Sequence, residues 1–130
     1  MPLATGVDVG GTKTLGVVVD EHGSVVRELR RATPEGAGAV VGLVGEIVRE
    51  LGATERVGIG VAGIVDRRGV WRTAPNVRGI SDLDIASRLR DLLPESSIVV
   101  DNDATCATLA EWKIGAGRGV DDLVLVTLGT

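Results

Sequence analysis

The feature that most restricts this chain is the spacing of its first three apolar runs. Residues 5–9, Thr-Gly-Val-Asp-Val, end at Gly10-Gly11, and Lys13-Thr-Leu-Gly-Val-Val-Val19 follows at once. Asp20-Glu-His-Gly23 supplies turn chemistry before a third, half-exposed run over residues 24–31, which carries Val25 and Leu29. A parallel return needs a crossover of about a dozen residues or more, so strands joined by turns this short must be antiparallel. The chain therefore opens with a three-stranded meander, and its helices come later.

The pattern then changes period. Within residues 34–52, Val40, Val44, Ile47, Val48 and Leu51 lie on one stripe of a 3.6-residue repeat, which predicts a helix. Its glycines weaken it by up to ~1 kcal/mol each relative to alanine, so tertiary packing must hold it. Residues 56–62 read as a buried strand and residues 64–72 as a hairpin turning at 66–69. Ser81 is the expected N-cap of a helix to Leu93, stopped by Pro94. A strand over 97–100, a helix over 102–114 closed by Gly115, and a final strand over 123–128 complete the reading. A meander feeding βα units gives an α/β domain with a mixed sheet and helices on both faces.

Composition removes several classes of function. The chain has 130 residues, 44% of them hydrophobic, which suits one domain with a real core. A net charge of −4 argues against binding a phosphate backbone, which needs a cationic face. With Trp71 and Trp112 as the only aromatic residues apart from His22, there is no base-stacking platform for single-stranded nucleic acid. Cys106 is the only cysteine, which excludes an internal disulfide and a cysteine-based zinc site. Neither a leader pattern nor a long apolar run appears, so a cytoplasmic protein without a membrane span is expected.

Two segments carry chemistry. Asp8-Val-Gly-Gly-Thr-Lys-Thr14 occupies the first tight turn. Adjacent glycines there let backbone amides approach a phosphate, Thr12, Lys13 and Thr14 add hydroxyls and a cation, and Asp8 is placed to hold a hydrated Mg²⁺. The bland alternative is a plain hairpin turn. A P-loop is excluded, because Thr12 intrudes before Lys13 and a strand follows. In the second segment, Asp101, Asn102 and Asp103 crowd a strand-to-helix junction. Capping accounts for one of them, and a carboxylate there could equally take a proton from an attacking hydroxyl. Gly58-Ile-Gly-Val-Ala-Gly63 matches the dinucleotide GxGxxG pattern, but a hairpin rather than a helix is expected after it. These glycines read instead as places where a strand end approaches another backbone or a small ligand. Cys106, His22, Arg67, Arg68 and the two tryptophans read as structural.

Taken together, Asp8-Val-Gly-Gly-Thr-Lys-Thr, Gly60-Val-Ala-Gly, Ala74-Pro-Asn, Asp101-Asn-Asp-Ala and Thr127-Leu-Gly-Thr resemble the ROK family of bacterial sugar kinases, most of all its glucokinase-like members. The resemblance spans almost the whole chain, in order. It implies a ribonuclease H-like domain of the actin-like ATPase type, and ATP-dependent phosphorylation of a hexose, glucose first. By position, Asp8, Gly10, Gly11, Thr12 and Lys13 resemble the first phosphate motif, and Gly129 and Thr130 the opening of the second. Asp103 resembles the catalytic base, which also contacts the sugar, while Gly63, Asn76 and Asn102 resemble sugar contacts. The chain departs at Thr105, where many relatives carry Asn.

The resemblance further implies that residues 1–130 are the N-terminal domain. A second domain would carry the adenosine pocket, further sugar contacts and a structural zinc site, and this chain alone is expected to be inactive. ATP and Mg²⁺ are the expected cofactors, a hexose the expected partner, and homo-oligomerisation is expected of the full-length protein. The alternatives are a non-enzymatic sugar-sensing domain of the ROK repressor type, or a half that assembles with a separate partner.

Overall fold

The computed structural model describes residues 2–52 and 54–128. In chain order, its elements are β1 (Ala4–Val9), β2 (Lys13–Val19), β3 (Val25–Ala32), α1 (Ala37–Glu50), β4 (Arg56–Val61), β5 (Ile64–Val65), β6 (Trp71–Thr73), β7 (Ser81–Leu83), α2 (Ile85–Leu92), β8 (Ser97–Asn102) and α3 (Asp103–Ile114). The opening meander forms as expected, with β1, β2 and β3 successively antiparallel. Strands β4 and β8 then add in parallel on the far side of β1, giving the sheet order β3-β2-β1-β4-β8. Each parallel return has a helix in its connection, which supplies the crossover that the first turns lack. Strands β5, β6 and β7 make a separate small antiparallel sheet, inserted between β4 and α2.

Alternation along the strands divides the large sheet into two faces. Thr5, Val7, Val9, Val57, Ile59 and Val61 are buried on one of them, beneath α1 and α2. Helix α1 buries Val40, Val41, Val44, Ile47 and Val48, the stripe expected from the sequence. It sits so close to β2 that a Cβ on Gly16 would overlap Ile47 and lie 2.8 Å from Leu51 Cδ1. Helix α3 covers the opposite face at Gly60, so helices do flank the sheet on both sides.

Two expected elements are corrected. Ser81 is not the cap of α2. It pairs with Thr73 as the first residue of β7, and Asp84 caps the helix by accepting from the Ser87 amide at 3.1 Å. Ser and Asp are equally good caps, and the pairing of Leu83 with the buried Trp71 decides between them. The strand expected over residues 123–128 is also absent. Val124, Val126 and Leu128 alternate as a strand would, yet they are exposed and lie against no neighbouring strand. Strand propensity expresses itself only through pairing and same-face packing.

Candidate functional site

Strands β1, β4 and β8 are parallel, so their carboxyl ends at Val9, Val61 and Asn102 share one edge of the sheet. Open α/β sheets bind ligands at that edge. Three connections leave from it: the turn at 10–12, the loop at 62–63, and the start of α3.

In the first turn, the Gly10 amide donates to the Lys13 carbonyl at 3.0 Å. A Cβ on Gly10 would lie 2.7 Å from that same oxygen, and one on Gly11 would lie 2.7 Å from the Asn76 carbonyl oxygen. Both glycines are therefore required by close approach, since neither has a positive φ. No hydrogen bond among the described residues engages the amides of Gly11 or Thr12. With Lys13 they are exposed at the tip. Thr14 points the other way, buried and hydrogen-bonded to Thr33 at 2.8 Å, and so holds the turn rather than a ligand.

Register builds the acidic part of the site. Asp8 pairs with Gly60, and Gly60 pairs with Asp101, so these three form one row across β1, β4 and β8. Directly opposed residues project to the same face. Between the two carboxylates lies the bare backbone of Gly60, and α3 brings Asp103 down over it. A Cβ built on Gly60 would be 3.6 Å from Asp103 Cα and 3.7 Å from Cys106 Sγ. The result is a groove of about 430 Å³ lined by Asp8, Gly58, Gly60, Asp103, Cys106 and Ala107 among others.

The charges in this groove act on one another. Burial pushes the Asp8 carboxyl above its ordinary range, and the negative charge of Asp103 adds to the shift. Burial also raises the Cys106 thiol, with Asp101, Asp103 and Asp8 contributing. A thiol held protonated is neither a nucleophile nor a metal ligand at neutral pH. A cation relieves the repulsion between crowded carboxylates. No group of three or more His, Cys, Asp or Glu suited to a metal occurs among the described residues. Asp8, a single carboxylate beside the exposed Gly11–Lys13 turn, suits only a cation that keeps most of its waters and needs few protein ligands, as Mg²⁺ does.

The second loop completes the edge. Gly63 has φ +105, and a Cβ there would collide with the Thr73 carbonyl oxygen. The Ala62 carbonyl accepts from Trp71 Nε1 at 2.8 Å, and the Gly63 carbonyl accepts from Asn102 Nδ2 at 2.8 Å. Strand β5 follows Gly63 directly, so the dinucleotide reading of the glycine pattern lacks its helix. Asn76 is exposed, with its backbone against Gly11.

Asp8, Gly10, Gly11, Thr12, Lys13, Gly63, Asn76, Asn102 and Asp103 thus gather at one edge. Gly129 and Thr130 lie outside the described residues. Sequence reasoning marked Gly60 as a place of close backbone approach and Asp101 as part of the acidic helix start, but it did not align either with Asp8 in one row. The signal for both was cross-strand register, which a single sequence does not print.

Residues 4–130 match the ROK family. The chain belongs to that family. It is 37% identical over 135 residues to a glucokinase of Streptomyces coelicolor, an alignment covering 100% of this chain and 42% of that protein. It is 36% identical to a polyphosphate glucokinase of Mycobacterium leprae, covering 96% of this chain and 40% of the other. A crystal structure of a ROK family glucokinase from Streptomyces griseus, in complex with glucose and AMPPNP, superposes with a TM-score of 0.84 at 37% identity. That match covers 92% of this chain and 39% of the other. The fold is therefore that of the ROK sugar kinases, an actin-like ATPase fold. The chain spans about two fifths of the length of these relatives.

Proposed function

We propose that residues 1–130 form the N-terminal domain of an ATP-dependent hexose kinase, with glucose as the first substrate to test. The observation that carries this reading is the Asp8–Gly60–Asp103 groove, which sets a carboxylate at the start of a helix beside an exposed glycine turn with free amides. Phosphoryl transfer passes through a loose transition state, so an enzyme works mainly by positioning and charge stabilisation. In this reading the amides of Gly11 and Thr12 and the ammonium of Lys13 receive the phosphates, with Gly10 shaping the turn. Asp8 orients the hydration shell of Mg²⁺, which neutralises phosphate charge when bound. The Asp103 carboxylate accepts the proton of the attacking sugar hydroxyl, while Gly63, Asn76 and Asn102 help to hold the sugar. Gly129 and Thr130 would open a second phosphate motif, as the family resemblance implies.

The similarity to both glucokinases and polyphosphate glucokinases sets the design of the test. The full-length protein is assayed for phosphorylation of glucose, mannose, fructose and N-acetylmannosamine, with ATP or polyphosphate as donor. Glucose-dependent ADP release that Asp103→Asn abolishes is the expected outcome. Absence of sugar phosphorylation with either donor overturns the reading.

A further inference from the structure

Asn102 makes two side-chain contacts of opposite polarity. Its Oδ1 accepts from the Thr105 amide at 3.1 Å, which caps α3. Its Nδ2 donates to the Gly63 carbonyl at 2.8 Å, across 39 residues of chain. The orientation of the amide is set by its partners, because an N–H needs an oxygen and a carbonyl needs an N–H. Capping uses only the first contact, and Ser or Asp would cap as well. Of the common capping side chains, only the Asn amide also brings an NH₂ group that can reach a second acceptor.

That second contact joins two parts of the site. Among the described residues, no other side-chain hydrogen bond links the first turn of α3 to the loop between β4 and β5. The loop is held from its other side by the buried Trp71, whose indole donates to the preceding carbonyl, Ala62. Gly63 is wedged against Thr73 and Pro75, next to Asn76, which in turn lies over Gly11. Two consecutive carbonyls are thus fixed by two side chains, one from the small sheet and one from the large sheet. Moving the Gly63 carbonyl relative to α3 would move that whole chain of contacts relative to Asp103.

We infer that Asn102 is a positioning residue: its amide bond to Gly63 sets the small-sheet loops at a fixed distance from the Asp103 carboxylate. The catalytic consequence rests on the kinase reading of Asp103, whereas the bridge itself does not. Loss of the bridge misplaces the base relative to the bound sugar, and a displacement of about 1 Å can lower turnover on the order of 100-fold. A residue acting only as a uniform sugar ligand would instead raise KM and leave kcat unchanged.

Asn102→Asp and Asn102→Ser test this in the full-length protein. Both keep an acceptor for the Thr105 amide; Asp has no donor for Gly63, and Ser replaces the amide NH₂ by a hydroxyl on a shorter side chain. Ser introduces no charge beside Asp101 and Asp103. Hydrogen exchange followed by mass spectrometry is expected to accelerate in peptides spanning 60–66 while those spanning 103–114 stay unchanged. In the kinase assay, kcat is expected to fall about 10- to 100-fold, with a smaller rise in the sugar KM. Unchanged exchange at 60–66 in both variants overturns the bridge. Accelerated exchange with unchanged kcat overturns the positioning role. Absence of sugar phosphorylation by the wild-type protein defeats the kinase reading instead, and the exchange result then decides the bridge alone.

Discussion

Helices α1 and α3 have 14 and 12 residues and lie on opposite faces of the same sheet, yet they are built on different principles. Helix α1 presents an unbroken valine and isoleucine stripe to Val7, Val9, Ile59 and Val61. Helix α3 has no buried residue, Leu109 on it is 53% exposed, and the strands beneath it offer Gly6, Gly58 and Gly60. One face gives up space for burial, and burial of a large aliphatic side chain is worth roughly 1.5–3 kcal/mol. The other keeps space and gathers carboxylates. In the proposed reading, stability and chemistry fall on opposite sides of one set of strands, with alternate residues of β1 and β4 on each.

The largest effect should come from the chemical face. Asp103→Asn is expected to lower kcat of the full-length protein by about 10²- to 10⁴-fold, with unfolding stability changed by no more than ~0.5 kcal/mol. Steady-state kinetics beside a urea melt separates the two, and a variant keeping more than a tenth of kcat removes Asp103 as the base. On the core face the balance reverses. Ile47→Ala should destabilise the 130-residue chain by about 2–5 kcal/mol, against ~0.5 kcal/mol for Leu109→Ala, both from urea unfolding. Equal losses would break the comparison.

A smaller effect is expected where the two loops touch. Gly11→Ala places a methyl group 2.7 Å from the Asn76 carbonyl oxygen. Overpacking of this kind costs about 1–3 kcal/mol, and because in the proposed reading the Gly11 amide receives phosphate while Asn76 helps to hold the sugar, it should raise the donor KM and the sugar KM together. An unaltered sugar KM would mean that Asn76 takes no part in sugar binding.

The smallest effects are electrostatic, and they have opposite signs. The folded-state pKa of Asp8 is raised from 3.8, so its contribution to stability is present in acid and is lost as pH rises through the folded value. Asp8→Asn should therefore raise Tm at pH 7, with the gain vanishing below pH 3.8. Asp66, in the hairpin turn, is lowered from 3.8, chiefly by the Val70 amide and further by the Arg68 amide and the Arg72 guanidinium. Its contribution is present above that value and is lost as pH falls through the folded one. Asp66→Asn should lower Tm at pH 7, and the difference should close in acid. Thermal melts across pH 3–8 would expose any failure of sign.

What was legible in the sequence follows the range of the forces involved. The meander, the α1 stripe, the hairpin with its turn at Asp66 and the start of α3 at Asn102 rest on neighbours in the chain, and all appear where expected. The choice of Asp84 over Ser81 as a cap depended on Leu83 meeting Trp71. The run at 123–128 carried strand chemistry without a paired edge. At the site, the turn at Gly10 and the acidic helix start were visible as residue types. The floor at Gly60, the contact of Gly11 with Asn76 and the hydrogen bond from Asn102 to Gly63 join residues 39 or more positions apart, and only the assembled sheet brings them together.

The anchoring of Ala62 by Trp71 has an optical consequence. The chain contains no Tyr or Phe, so its near-ultraviolet absorption and emission come from two indoles alone. Trp71 is 0% exposed and bonded to the loop that ends at Gly63, whereas Trp112 is 42% exposed near the end of α3. A soluble quencher reaches the second and leaves the first. The emission that survives is an intrinsic probe of the loop beside the groove, read from the unlabelled protein.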